Sequence, residues 1–219
     1  MLTTVRFVTI GQTPRTDMVP DLVARLPEGT AIREVGALDG LDGSEVAALV
    51  PAPGEARLVT RMADGSQAVV GKAKMHARLQ VILDGLRRDP SVVTVLLCTG
   101  EFPGLRGPGV FLDAQHLVDH GVAALCAGME RVGLLLPAAE QAEEFHWKPA
   151  PHQELRVTWA SPYVGDRFDE AAQELAGCDA VVMHCMGFTE EQRRRVARAS
   201  GRPVLLARQF VAAAVAQLL

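Results

Sequence analysis

Apolar positions fall along this chain in two alternating rhythms. Short runs rich in aliphatic and β-branched residues recur at residues 5–10, 31–35, 92–98, 131–136, 155–160, 180–185 and 204–207, and those closing on Cys98 and Cys185 are continuous. Runs of this length and composition read as strands buried on both faces of a parallel sheet. Between them lie stretches with helical spacing. The clearest covers residues 72–88, where Met75, Leu79, Ile82 and Leu86 fall on one stripe; Asp89-Pro90 is expected to stop it. Further helices are expected over 17–26, 115–125, 138–146, 166–175, 189–199 and 209–219, with a short one capped by Ser44 and the first capped by Thr16 or Asp17. One antiparallel element interrupts the alternation. Residues 57–62 and 66–70 flank Ala63-Asp64-Gly65, a hairpin signal.

Strand and helix alternate almost throughout, which predicts an α/β fold with a mostly parallel sheet. Residues 100–109 hold four glycines and two prolines and read as a long loop, a candidate lid. They divide the chain into two α/β halves. The first covers 1–110 plus a C-terminal helix at about 208–219, and the second 111–207. The expected architecture is two pseudo-symmetric halves facing each other across a cleft, although no sequence repeat announces the duplication.

Composition narrows the function classes. The 219 residues carry a formal charge of −4 with no basic stripe, which disfavours nucleic acid as a partner. The densest basic stretch, Arg193-Arg194-Arg195, follows Glu190 and Glu191 and reads as a mixed-charge helix face. No apolar run reaches the ~20 residues that span a bilayer, so no membrane association is expected. The N-terminus enters a strand without a secretory pattern, and four cysteines in no CxxC pair suit neither a zinc site nor a disulfide scaffold. A cytoplasmic protein with reduced thiols is expected.

Chemistry points to two of those thiols. Cys98 in Leu97-Cys98-Thr99-Gly100 and Cys185 in His184-Cys185-Met186-Gly187 share the form strand-Cys-x-Gly. Ligands of open α/β sheets bind beyond the carboxyl ends of such strands. Moving a proton at a carbon beside a carboxylate needs a base and an acid on opposite sides, and thiols can serve as both if one is held as thiolate. The plainer alternative is that both are small buried hydrophobes. Cys126 and Cys178 read as structural. The candidate substrate-binding residues are Thr99, Gly100, Met186 and Gly187 in the two turns, with Gly11, Gln12 and Arg15 after the first strand. That first loop is neither a GxGxxG nor a P-loop, so no nucleotide cofactor is expected. His184 reads as a packed or rim histidine, because neighbouring strand residues face opposite ways. His116 and His120 have metal-compatible i, i+4 spacing, but no third ligand accompanies them.

Several stretches resemble the AroM family along nearly the whole chain. They are Thr9-Ile10-Gly11 with Pro14, the Asp-Gly hairpin running into 72–86, Phe111-Leu112-Asp113, Arg131-Val132-Gly133, Cys185-Met186-Gly187-Phe188 and Arg202-Pro203-Val204-Leu205-Leu206. AroM proteins in turn resemble the aspartate/glutamate/hydantoin racemase superfamily. That resemblance implies two α/β halves with one catalytic residue each, no cofactor and no metal. Residue by residue it implies Cys98 and Cys185 as the acid/base pair and Thr99 beside the substrate carboxylate. Superfamily relatives are often dimers, so a homodimer is implied. Met186 departs from the hydroxyl residue usual after the second cysteine. The expectation is a cofactor-independent racemase, epimerase or isomerase acting on a small carboxylate-bearing molecule. The alternatives are a non-catalytic small-acid binding or regulatory protein, and a decarboxylase using one thiol.

Overall fold

A computed structural model describes residues 2–144 and 150–219. The chain forms two compact units, one comprising Met1–His116 and Ala212–Leu219, the other Leu117–Val211. In the first unit, strands β1 (Thr4–Thr9), β2 (Ala31–Gly36), β5 (Val92–Leu96) and β6 (Val110–Asp113) make a parallel sheet in the order β2-β1-β5-β6. In the second, β7 (Arg131–Leu136), β8 (Glu154–Trp159), β9 (Ala180–Met183) and β10 (Val204–Leu206) make a parallel sheet in the order β8-β7-β9-β10. Numbered within each unit, both orders read second-first-third-fourth. The duplication absent from the sequence is plain in the topology.

Burial explains why these runs are strands. Every residue of β1, β5 and β9 is buried, and all of β7 beyond Arg131. The flanking strands β2 and β8 alternate or expose residues. Central strands thus carry the continuous aliphatic runs that a sheet covered on both faces demands. A second, antiparallel sheet in the first unit pairs β3 (Arg57–Arg61) with β4 (Gln67–Gly71). Its turn uses Gly65 at φ +88°, a conformation that glycine takes without strain. Helix α3 (Lys72–Gly85) follows at once and buries Met75, Leu79 and Leu83, with Ile82 and Leu86 packed beside them.

Several local expectations are corrected. The first helix, α1 (Val19–Val23), is shorter than residues 17–26 and has no side-chain cap, because the Asp17 carboxylate is taken by Arg15. The cap of α2 (Gly43–Ala47) is Asp42 rather than Ser44. Asp42 accepts the amides of Ser44 and Glu45, and Glu45 returns a bond to the Asp42 amide, a complete capping box. Helix α3 ends before Asp89-Pro90, with Leu86 already extended. Strand β6 occupies a stretch expected to belong to no element. The remaining helices are α4 (Ala114–Leu125), α5 (Ala139–Glu144), α6 (Phe168–Glu174), α7 (Glu190–Ser200) and α8 (Ala207–Ala216). The last two residues of the helix expected over 138–146 lie outside the described residues. On α7, Arg193 and Arg194 pair with Glu190, and Arg195 with Asp166 and Asp169, the mixed-charge face its sequence implies. Among the described residues no helix is long and apolar enough to cross a membrane.

Candidate active site

The two thiols occupy equivalent places in their own sheets. β5 runs beside β1 with Val8 opposite Leu96, and the amide of the next residue, Leu97, donates to the Val8 carbonyl at 2.8 Å. β9 runs beside β7 with Leu135 opposite Met183, and the amide of the next residue, His184, donates to the Leu135 carbonyl at 3.0 Å. Each cysteine is then the second residue beyond its strand. Both lie largely buried at the carboxyl edge of a parallel sheet.

Each thiol also closes the same turn. The Gly100 amide donates to Cys98 Sγ at 3.3 Å, and the Gly187 amide donates to Cys185 Sγ at 3.3 Å. An N–H aimed at sulfur stabilises the charged form of a thiol more than the neutral one. Both turns have a side chain packed over the glycine two residues after the cysteine. A Cβ on Gly100 would lie 2.7 Å from Leu58 Cδ2, and one on Gly187 would lie 2.5 Å from the Tyr163 hydroxyl oxygen. At Gly187 the Cys-x-Gly form therefore has a steric cause as well as a polar one.

The other two cysteines differ. Cys126 and Cys178 are fully buried, and burial pushes both thiols above their ordinary range, at Cys178 despite nearby Arg156. Both belong with the packing of the second unit.

After β1, the loop of Gly11, Gln12 and Arg15 sits beside the Cys98 turn, on the adjacent strand of the same sheet. A Cβ on Gly11 would fall 2.4 Å from the Arg61 carbonyl oxygen, so the hairpin packs directly on this turn. The Gln12 amide group donates to the Leu38 carbonyl and accepts from the Ala63 amide, while its backbone N–H meets the Arg61 carbonyl. It ties three segments together. Arg15 is buried and forks onto Asp17 with two bonds of 2.9 Å, its third nitrogen donating to Thr9 Oγ1 at 2.7 Å. Burial pushes the Asp17 carboxyl up, but the hydrogen bond and charge of Arg15 outweigh it and hold that carboxyl below the usual range. Thr13 and Gly36 are held by Asp39 in the same way.

The loop over 100–109 is irregular as expected, but it is stapled to α3. His76 Nε2 meets the Pro103 carbonyl oxygen at 3.1 Å while its ring stacks on Phe102. Gln80 donates to the Arg106 carbonyl and accepts from the Arg106 amide. A lid motion would have to break all three hydrogen bonds.

His184 is packed, one of the two readings its sequence allowed, but its partner Asp119 escaped the sequence, as did the places of Tyr163 and Arg208. His184 is buried and its Nε2 lies 2.6 Å from Asp119 Oδ1, so it turns to α4. Tyr163 closes over the second thiol turn. Arg208, in the first turn of α8, is buried and donates to the carbonyls of Met186 and Gly187. A cation inside the apolar stretch Val204-Leu205-Leu206-Ala207-Arg208 was the one available signal for it. Among the described residues no group of three or more His, Cys, Asp or Glu is placed to hold a metal ion.

Comparison with known proteins bears on the family and the fold. The family described as AroM protein matches residues 5–219. No curated protein matches the chain at significance. Solved structures do. An allantoin racemase from Pseudomonas fluorescens has a TM-score of 0.57 at 9% identity, over 98% of this chain and 90% of that one. The maleate cis-trans isomerase of Nocardia farcinica bound to TRIS has a TM-score of 0.54 at 16% identity, over 99% and 92%. The maleate isomerase of Pseudomonas putida S16 has 0.50 at 14% identity, over 100% and 93%. At such identities the likeness is one of fold: the Asp/Glu racemase-like α/β architecture.

Proposed function

This chain belongs to the AroM protein family, and from that premise we propose that it is a cofactor-independent isomerase, of the racemase or epimerase kind, acting at a carbon next to a carboxylate. The observation that supports this most is the pair of matched thiol turns, each sulfur receiving a glycine amide at 3.3 Å. In the proposed reaction a thiolate takes the proton from carbon. The second thiol returns its own proton to the opposite face. The two sulfurs thereby exchange protonation states, and the next turnover runs in the reverse sense. The amide donors lower the cost of holding negative charge on sulfur in a largely buried setting.

The substrate carboxylate is assigned to the Thr99 hydroxyl, while Gly11, Gly100, Met186 and Gly187 shape the turns, since the three glycine amides already donate to Thr9 Oγ1, Cys98 Sγ and Cys185 Sγ. Gln12 and Arg15 enter as residues that fix the shape of the Gly11 turn, since their side-chain hydrogen bonds tie that turn to its surroundings. Met186 brings an apolar side chain where a hydroxyl is usual, which favours a less polar substituent on the substrate. Two of the similar folds are named for maleate, a small dicarboxylate, so small carboxylates are the first class to test. Chemistry that needs two reduced thiols suits a reducing compartment, so the proposal includes a cytoplasmic location.

The test is solvent exchange. The protein is incubated in deuterated buffer with single enantiomers of small 2-amino, 2-hydroxy and 2-aryl acids. Loss of the α-proton signal is followed by NMR. Exchange is expected with at least one compound, and both Cys98→Ser and Cys185→Ser should abolish it. Full activity in either variant would overturn the two-thiol mechanism. Release of carbon dioxide surviving the loss of one cysteine would replace it with the one-thiol decarboxylase.

A further inference from the structure

We infer that Arg208 is the positioning residue that makes Cys185 the resting thiolate of the pair, acting through the Met186–Gly187 peptide. This rests on the two-thiol reading above and deepens it by saying which sulfur carries the charge. Arg208 is 2% exposed, the largest of the fully buried side chains among the described residues. Its Nε donates to the Met186 carbonyl at 3.1 Å and its Nη2 to the Gly187 carbonyl at 2.9 Å.

The first of those bonds matters most. The Met186 carbonyl and the Gly187 N–H belong to one planar peptide unit. The guanidinium holds the oxygen end of that unit, and the N–H end donates to Cys185 Sγ. A cation on the oxygen draws electron density along the peptide and strengthens the N–H as a donor. The chain cation, peptide, sulfur thus favours a negative sulfur at its end. The second bond is geometric. Two carbonyls gripped by one planar fork keep the turn from rotating its N–H away from the thiol, which a lysine could not do. With little water around, the fixed charge is weakly screened.

The other ionisable groups of this unit around the turn do not compete. His184 points to Asp119 on α4. Tyr163 closes over Gly187. Glu190, at the start of α7, is neutralised by Arg193 and Arg194 and also accepts from Gln209. Arg208 is joined to the sulfur through the Met186–Gly187 peptide.

The test is the pH profile of iodoacetamide labelling at each cysteine, read by peptide mass spectrometry on the full chain. In the wild type, Cys185 should label with a midpoint well below the ordinary thiol value of about 8.5. Arg208→Gln should move that midpoint up by about one pH unit and slow Cys185 labelling near neutrality about tenfold. The Cys98 profile should stay in place as the internal control. Arg208→Lys, which keeps the charge and loses the fork, should fall between the two, and it carries the test if Arg208→Gln does not fold. A merely structural arginine would lower the melting temperature and leave the Cys185 midpoint where it was, which would overturn the inference alone. A wild-type Cys185 with an ordinary midpoint beside an activated Cys98 would do the same. Ordinary midpoints at both cysteines would overturn the two-thiol function along with it.

Discussion

The two thiol turns share a form but not a cover, and a pair of glycine-to-alanine changes separates them. In Gly187→Ala the new Cβ would sit 2.5 Å from the Tyr163 hydroxyl oxygen, 2.8 Å from its Cζ and 2.9 Å from Pro162 Cγ. The Pro162 ring has no side-chain rotation to escape by, and Tyr163 must turn about its Cα–Cβ bond to clear the new methyl group. The turn or the 161–164 segment must shift, and Ser161 already holds that segment by accepting the amides of Tyr163 and Val164. Overpacking of this kind costs about 1–3 kcal/mol. Less backbone freedom in the unfolded alanine chain returns about 0.4–1 kcal/mol. A net loss near 1.5 kcal/mol corresponds, at roughly 2–4 °C per kcal/mol for a chain of this size, to a melting point lower by about 3–6 °C. In Gly100→Ala the clash is with Leu58 Cδ2 alone, the far end of a flexible side chain, and Cys98 Sγ is in ordinary contact at 3.4 Å. That variant should lose less than about 1 kcal/mol. Scanning calorimetry of the two variants beside the wild type is the assay. Equal losses, or a larger loss in Gly100→Ala, would refute the view that rigid packing over Gly187 sets the second turn.

Three further expectations use the same reasoning. Asp17→Asn leaves the buried Arg15 guanidinium without its countercharge and should destabilise the protein by about 3 kcal/mol at neutral pH. Because the folded-state carboxyl of Asp17 is lowered, its contribution is complete above the ordinary carboxylate value and is lost as pH falls through the lowered one. Urea titrations should therefore show the variant's deficit shrinking below about pH 4, and a deficit independent of pH would contradict the pairing. Thr189→Ala removes the side-chain half of the capping box on α7 and should cost about 1 kcal/mol by urea titration, with no change in labelling at Cys185.

Much of the architecture is legible in the chain, and the reasons for the exceptions are physical. β7 is read with both ends correct, because a buried aliphatic run is bounded by Arg131 and Pro137. The hairpin is legible because Asp64-Gly65 states its turn chemistry locally. β6 is not. Val110–Asp113 is four residues long, follows a glycine-rich loop and gains its identity only by pairing with β5. The α2 cap is ambiguous locally: Ser44 and Asp42 both have the right chemistry, and Glu45 at the third helical position decides for Asp42. Asp17 looks like a cap until burial of Arg15 claims its carboxylate. At the candidate site, the strand-Cys-x-Gly form identifies both turns, since strand, thiol and glycine are neighbours in sequence. Their surroundings are not legible. Leu58 lies 42 residues from Gly100, Tyr163 lies 24 from Gly187, and Arg208 lies 22 from Met186. Spacing within one element cannot reveal such partners. The same holds for the strand order that the two sheets share, which no sequence repeat announces.

The central claim is that two of four cysteines are held for chemistry and two for packing, and one labelling experiment on the wild-type protein tests it without a substrate. The native chain is alkylated with iodoacetamide near neutral pH, and the rate at each cysteine is read by peptide mass spectrometry. Cys98 and Cys185, whose sulfurs accept amide hydrogen bonds, should label at least about tenfold faster than Cys126 and Cys178, whose thiols burial pushes up. Four comparable rates, or a faster Cys126 or Cys178, would contradict the account.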